Sequence, residues 1–205
     1  MTDMDSSEKN RRTVEAYDAY AARYAAATEP SRSPTGSDAL DGFIAAVGAQ
    51  ARVLEVASGP GWDANVMEAR GLEVERTDVS DGFIAVQAER GKRVERLNLL
   101  SDDLGGPWDG IVALYVIQHI EKASAPDVVA RIAAALRPGG TLLLSFQEGD
   151  EDFIEHGSDG GAYHIVRWPR DEMVALFGRH ALEVGWERRD VDEEGVWITV
   201  LAHRS

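Results

Sequence analysis

The chain contains no cysteine. That excludes disulfides and thiol catalysis, and it fits the cytosol. Positive charge is scarce: 21 Lys and Arg stand against 36 Asp and Glu, a formal net charge of −15. Such a surface repels phosphate backbones and anionic lipid, so neither nucleic acid nor a membrane is expected as the main partner. Long apolar runs are missing too. The longest, Ile111 to Ile117, falls far short of the ~20 residues that cross a bilayer, and it reads as a buried strand, as does Leu142 to Leu144. The opening stretch MTDMDSSEKN lacks the apolar core of a signal peptide. No internal repeat is visible, and 205 residues suit one domain with a sizeable core.

Against these absences, the stretch from Arg52 to Ala64 is dense with information. Val53, Leu54 and Val56 predict a strand covered on both faces. Gly59 and Gly61 let the backbone turn tightly and approach a ligand without a Cβ in the way. A helix starting there points unpaired N–H groups and a positive dipole end at the turn. This is a nucleotide-cofactor cradle with one unusual member, Glu55. A carboxylate beside a pyrophosphate is unfavourable, and a buried one needs hydrogen bonds or a cation. A cofactor bearing an ammonium and a sulfonium supplies that cation.

The segment Val53 to Gly61 resembles the first motif of class I S-adenosylmethionine-dependent methyltransferases. Later motifs follow in order. Leu72 to Ser80 resembles the second strand, with Asp78 at the ribose-binding acid. Arg93 to Leu100 resembles the third, Trp108 to Ile120 the fourth with its trailing histidine, and Leu136 to Phe146 the turn and fifth strand. The resemblance implies a Rossmann-like α/β three-layer sandwich. Its sheet has seven mostly parallel strands, with N-terminal lid helices and a C-terminal antiparallel hairpin. The cofactor is S-adenosylmethionine, with S-adenosylhomocysteine as product. It further implies cofactor contacts at Glu55, Ala57, Gly59, Gly61, Asp78, Val79, Asn98, Leu99 and Tyr115. Asn98 stands where the family usually has an aspartate facing the adenine amino group, and Asp102 or Asp103 serves if the register differs. Tyr17 and Tyr24 either fold over the cofactor or form an aromatic stripe on the sheet edge. His119 is either a general base or a loop anchor.

Periodicity divides the single domain 1–205 into parts. A polar tail covers residues 1–8 and helices occupy 9–50, the first from Arg11 to Ala27 and the second from Asp38 to Gln50. Ser37 is a candidate N-cap, and Pro30 to Gly36 a linker. The cofactor core, 51–146, alternates strands (53–57, 72–77, 93–97, 110–115, 141–146) with helices (62–70, 82–90, 125–136), as a parallel sheet requires. Residues 147–168 form a substrate insert, acidic and glycine-rich with no clear period from Gln147 to Gly161. It carries the candidate substrate-binding residues His156, Tyr163, His164 and Arg167. Its histidines and acids match no tight ligand spacing, so no metal is expected. Residues 169–205 read as a helix, Arg170 to Gly178, and a hairpin, Leu182 to Arg188 with Gly195 to Ala202.

The expected activity is methyl transfer to an oxygen or nitrogen of a small-molecule acceptor in a cytoplasmic monomer or homodimer. The alternatives are a protein or peptide methyltransferase, an NAD-dependent oxidoreductase and a non-catalytic cofactor-binding module. Gly59, Gly61 and Ala64 with Asp78 downstream partly match a dinucleotide fingerprint, although Glu55 opposes it.

Overall fold

The structure is a computed structural model that describes residues 6–28, 36–157, 161–192 and 194–205. Its elements in chain order are α1 (Ser6–Thr28), α2 (Gly36–Val47), β1 (Arg52–Glu55), α3 (Trp62–Ala69), β2 (Glu73–Asp78), α4 (Asp81–Glu89), β3 (Glu95–Arg96) and β4 (Trp108–Ala113). A single 3-10 turn, Ile117–His119, precedes α5 (Ala125–Ala135), β5 (Leu136–Glu148), β6 (Asp152–His156), β7 (Ala162–Val166), α6 (Arg170–Arg179), β8 (Leu182–Asp192) and β9 (Gly195–Arg204).

Seven strands form one sheet in the order β3-β2-β1-β4-β5-β9-β8. The first five run parallel, and β9 pairs antiparallel with both β5 and β8. This is the expected Rossmann-like sandwich. Successive side chains of a strand point to opposite faces, and the core divides accordingly. Leu54, Ile111, Leu142 and Leu144 pack with residues of α5 and α6 on one face. Val53, Val112, Leu143 and Leu201 pack with residues of α2 and α3 on the other. Burying such a side chain stabilises by about 1.5–3 kcal/mol, so a one-residue register slip would undo both faces together. The chain's course reverses between β1 and β4, and a crevice opens there beyond the carboxyl ends of the strands.

Several expected boundaries move for local reasons. The tail expected over 1–8 gives its last three residues to α1. The linker expected over 30–36 lies outside the described residues except for Gly36, which opens α2. Ser37 therefore sits within the helix and is not its cap. Helix α2 stops at Val47 because Gly48 turns to φ +86°. Strand β4 ends at Ala113, before Tyr115, which is left-handed at φ 55°. The strand expected at 93–97 shrinks to two paired residues at the sheet edge.

The insert is the largest departure. Strand β5 runs on to Glu148, and β6 and β7 form a separate antiparallel hairpin. Strand β6 has no fully buried residue, so no apolar alternation marks it. None of the helices among the described residues is long and apolar enough to cross a membrane.

Candidate active site

The crevice is a cavity of about 640 Å³, walled by the ends of β1, β2 and β4, helix α1 and the β8–β9 tip. At its floor, β1 delivers Glu55 into the turn. Glu55 is 4% exposed, and its carboxylate accepts the Ser58 hydroxyl. Burial, reinforced by Asp63 nearby, pushes its pKa up to about 8. Asp63, in the first turn of α3, also lines the cavity, and burial raises its pKa. The cationic side chain lining this cavity is Arg70, which pairs with Asp41 at 3.3 Å. Two buried carboxylates thus share a cavity whose described lining offers them no unpaired cation. Arg76 beneath the turn acts on Glu55 only at a distance, its guanidinium being bonded to Glu68, Gln87 and Asn65.

The turn itself is built from beneath. Ala57 and Gly59 are left-handed, at φ 52° and 54°. The buried Gln87 donates to the Gly59 carbonyl at 2.9 Å and to the Ser58 hydroxyl at 3.1 Å. Arg76, 3% exposed, donates to Gln87 and Asn65 at 2.8 Å and to Glu68 at 2.7 Å. A Cβ on Gly61 would lie 2.3 Å from Gln87 and 2.6 Å from Arg76. Gly61 therefore admits this polar support and does not line the cavity, which corrects its expected role against a ligand.

Asp78 closes β2. Its two carboxylate oxygens accept the backbone N–H groups of Gly59 and Ser80, each at 2.8 Å. Val79 N–H also bonds this carboxylate, and the acceptor capacity that remains suits a diol. Burial raises its pKa to about 6. The N-cap of α4 is Ser80, whose hydroxyl accepts from Phe83 N–H, so Asp78 is released from capping. Val79, Asn98 and Leu99 line the adjoining wall. The Asn98 side-chain oxygen accepts from Leu100 N–H at 2.9 Å. Asp102 is spent on Asn98 N–H and Asp103 on Gly105 N–H, and neither lines the cavity.

Helix α1 crosses the opening. Asp18 accepts from the Ser80 hydroxyl at 2.6 Å and Gly82 N–H at 3.0 Å. A Cβ on Gly82 would meet the Asp18 carbonyl at 2.6 Å, so glycine lets α1 and α4 touch. Tyr17 and Tyr24 both line the cavity. Tyr17 packs on Tyr163 and His119, with centroids 4.8 and 5.4 Å away. Its hydroxyl lies 3.0 Å from His119 Nε2. His119 Nδ1 donates to the His164 carbonyl at 2.8 Å, which in the neutral ring leaves Nε2 as acceptor, with the Gln118 amide nitrogen 3.4 Å from it. Burial pulls its pKa down to about 4.

Of the expected substrate-binding residues, none lines the cavity. His164 is buried, with its ring on Asp152 and its N–H on Thr13. Tyr163 backs Tyr17. Arg167 donates to the Glu194 carbonyl at 2.8 Å and so holds the β8–β9 tip. His156 is exposed at the end of β6. The hairpin thus braces the site from behind. The wall it was expected to form comes instead from Tyr115 and Trp197, with centroids 4.9 Å apart, and from Asp192 and Glu194. Sequence reasoning missed Asp63, Arg76, Gln87, Trp197 and Glu194. Only Arg76 carried a signal, as a charge inside a buried strand. No group of three potential metal ligands occurs among the described residues.

A family model described as a methyltransferase domain matches residues 11–192. The chain belongs to this methyltransferase family. No curated protein matches it in sequence. Among solved structures, a Burkholderia thailandensis 1,6-didemethyltoxoflavin N1-methyltransferase, bound to 1,6-didemethyltoxoflavin and S-adenosylhomocysteine, superposes with a TM-score of 0.73. Identity is 17%, over 100% of this chain and 92% of that one. The S-adenosylmethionine-bound amino pentose methyltransferase CalS10 of Micromonospora echinaspora scores 0.64 at 20% identity, over 82% and 89%. A Haloferax volcanii methyltransferase in complex with the activator Trm112 scores 0.73 at 14% identity, over 92% and 97%.

Proposed function

We propose that this methyltransferase moves the methyl group of S-adenosylmethionine to an oxygen or nitrogen of a small-molecule acceptor. The observation that carries the cofactor is the pair Glu55 and Asp63, two buried carboxylates facing a cavity whose described lining offers them no unpaired cation. A ligand bearing ammonium and sulfonium groups satisfies them. A pyrophosphate would meet Asp63 at the start of α3, the place a dinucleotide needs for its phosphates, so the NAD alternative loses its footing. Glu55 and Asp63 hold the amino-acid end, Asp78 the ribose hydroxyls, and Val79, Asn98 and Leu99 the adenine.

Bound S-adenosylmethionine supplies an already activated methyl group. What remains for the chain is alignment and exclusion of water. Orientation of two bound reactants contributes about 7–11 kcal/mol, more than a general base adds. Helix α1 and the β8–β9 tip supply it by closing over the cavity. A small acceptor fits this enclosure and the acidic surface. The acceptors of the toxoflavin and amino pentose enzymes, a heteroaromatic nitrogen compound and an amino sugar, are of this size.

Incubation with labelled S-adenosylmethionine and a panel of amines, phenols, amino sugars and heteroaromatic N–H compounds tests the proposal. Label in a panel compound supports it. Label only in protein or RNA, or binding without turnover, contradicts it.

A further inference from the structure

We propose that Tyr17 is the group that meets the acceptor's nucleophile, and that it hands the acceptor's proton to His119. This rests on the methyl-transfer reading above and narrows the acceptor to a protic nucleophile, a hydroxyl or a nitrogen that bears hydrogen.

The geometry is directional. Tyr17 lines the cavity, and its hydroxyl reaches His119 Nε2 at 3.0 Å. His119 cannot turn toward a substrate without breaking its bond to the His164 carbonyl, 2.8 Å from Nδ1. That carbonyl is itself fixed on β7, where the His164 N–H donates to Thr13 at 3.0 Å. The Tyr17 ring is gripped by Phe83, Tyr24 and Tyr163, with centroids 5.9, 6.4 and 4.8 Å away. Its oxygen therefore has one position, on the cavity wall beside His119, whose ring also lines the cavity but is held by its Nδ1 bond. The titratable groups around the pair among the described residues are Tyr24 of α1, Tyr163 and His164 of β7, the last bonded to Asp152 of β6, and the carboxylates of Glu155 on β6 and Glu194 at the β8–β9 tip.

The step balances. The nucleophile's lone pair forms the bond to the methyl carbon, and the carbon–sulfur pair stays on sulfur, which becomes neutral. Tyr17 oxygen takes the nucleophile's proton while its own proton passes to His119 Nε2. The electron pair of the broken N–H or O–H bond remains on the product. His119 ends as an imidazolium donating through Nδ1 to the His164 carbonyl. The positive charge that entered on sulfur leaves on the imidazole, so this buried wall never carries both. Burial holds the imidazole neutral beforehand, which keeps Nε2 ready to accept.

Two measurements on the full chain test the relay. The first is ¹⁵N NMR of the histidine side chains. His119 is expected to carry its neutral-form proton on Nδ1, and Tyr17→Phe is expected to shift the Nε2 resonance while leaving Nδ1 in place. A proton on Nε2, or no response to Tyr17→Phe, overturns the relay. The second is turnover of the best panel compound. Tyr17→Phe keeps the ring packing, so S-adenosylhomocysteine affinity and acceptor KM should hold within twofold while kcat falls about 10²-fold. The solvent isotope effect on kcat should shrink as well. Unchanged kcat with normal cofactor binding overturns the relay alone. A wild-type protein that binds no S-adenosylhomocysteine overturns the cofactor reading and the relay together.

Discussion

The two halves of the cavity are built in different ways. The half around Glu55 and Asp78 is made mostly within one stretch of chain: Ser58 reaches Glu55 three residues away, Gly59 N–H reaches Asp78 across 19, and Gln87 reaches Gly59 across 28. The half around Tyr17 joins distant parts of the chain. Tyr17 meets His119 across 102 residues, and Thr13 meets His164 across 151. The first can be assembled from the consecutive elements β1 to α4. The second exists only once α1, β4 and the β6–β7 hairpin have docked. The account predicts that substitutions in the first half act on folding and cofactor affinity, and those in the second on turnover.

The largest expected effect is at Arg76, the buried cation under the glycine turn. Arg76→Met takes the donor from Gln87 and Asn65 and leaves Glu68 to Lys92 alone, and should cost about 3–5 kcal/mol of stability, read by urea unfolding. A loss under about 1 kcal/mol would show that the turn stands without this support.

That contrast also explains what was legible in the sequence. Glu55, Gly59 and Asp78 could be placed beside one cavity because each ends or follows a short strand of consecutive elements. The sheet could be read because β1, β4 and β5 are apolar on both faces. His156, His164 and Arg167 misled because an irregular, polar insert looks like a binding loop. Only the pairing of β6 with β7 shows that those side chains point to Asp152 and the β8–β9 tip, or out to solvent. Trp197 and Glu194 were invisible because nothing local says that the last hairpin bends back over β4.

Next in size is Asp78→Ala, which removes two charge-assisted acceptors for a diol. At about 1.5–3 kcal/mol for each such bond, S-adenosylhomocysteine affinity should fall at least tenfold in calorimetry, with Asp78→Asn intermediate. Equal affinity in all three would remove Asp78 from the site.

A smaller effect, in the distant half, is expected at Thr13. Thr13→Val leaves the His164 N–H without its partner and should cost about 1–2 kcal/mol in urea unfolding. It should slow turnover without moving cofactor affinity more than twofold. A matching loss of cofactor affinity would erase the distinction between the halves.

The gentlest probe is pH. The pKa values of Glu55 and Asp78, about 8 and about 6, lie above the ordinary 4.5 and 3.8. The folded state therefore holds these protons more tightly than the unfolded chain. Their stabilising contribution is complete below about pH 4 and is lost as pH rises through 6 and then 8. The Tm of the ligand-free protein should fall over that window, and Glu55→Gln should flatten the upper part. A Tm that rises steadily from pH 5 to 8 would refute this assignment.

Calorimetric titration of the wild-type protein with S-adenosylhomocysteine and with NAD at pH 7 tests the central claim most directly. The account predicts micromolar-range binding of the adenosyl ligand and none of the dinucleotide. It also predicts release of a proton, seen as a buffer-dependent heat, as the ligand's ammonium ionises Glu55. Preference for NAD, or adenosyl binding with proton uptake, would contradict the assignment of Glu55 and Asp63 to a cationic cofactor.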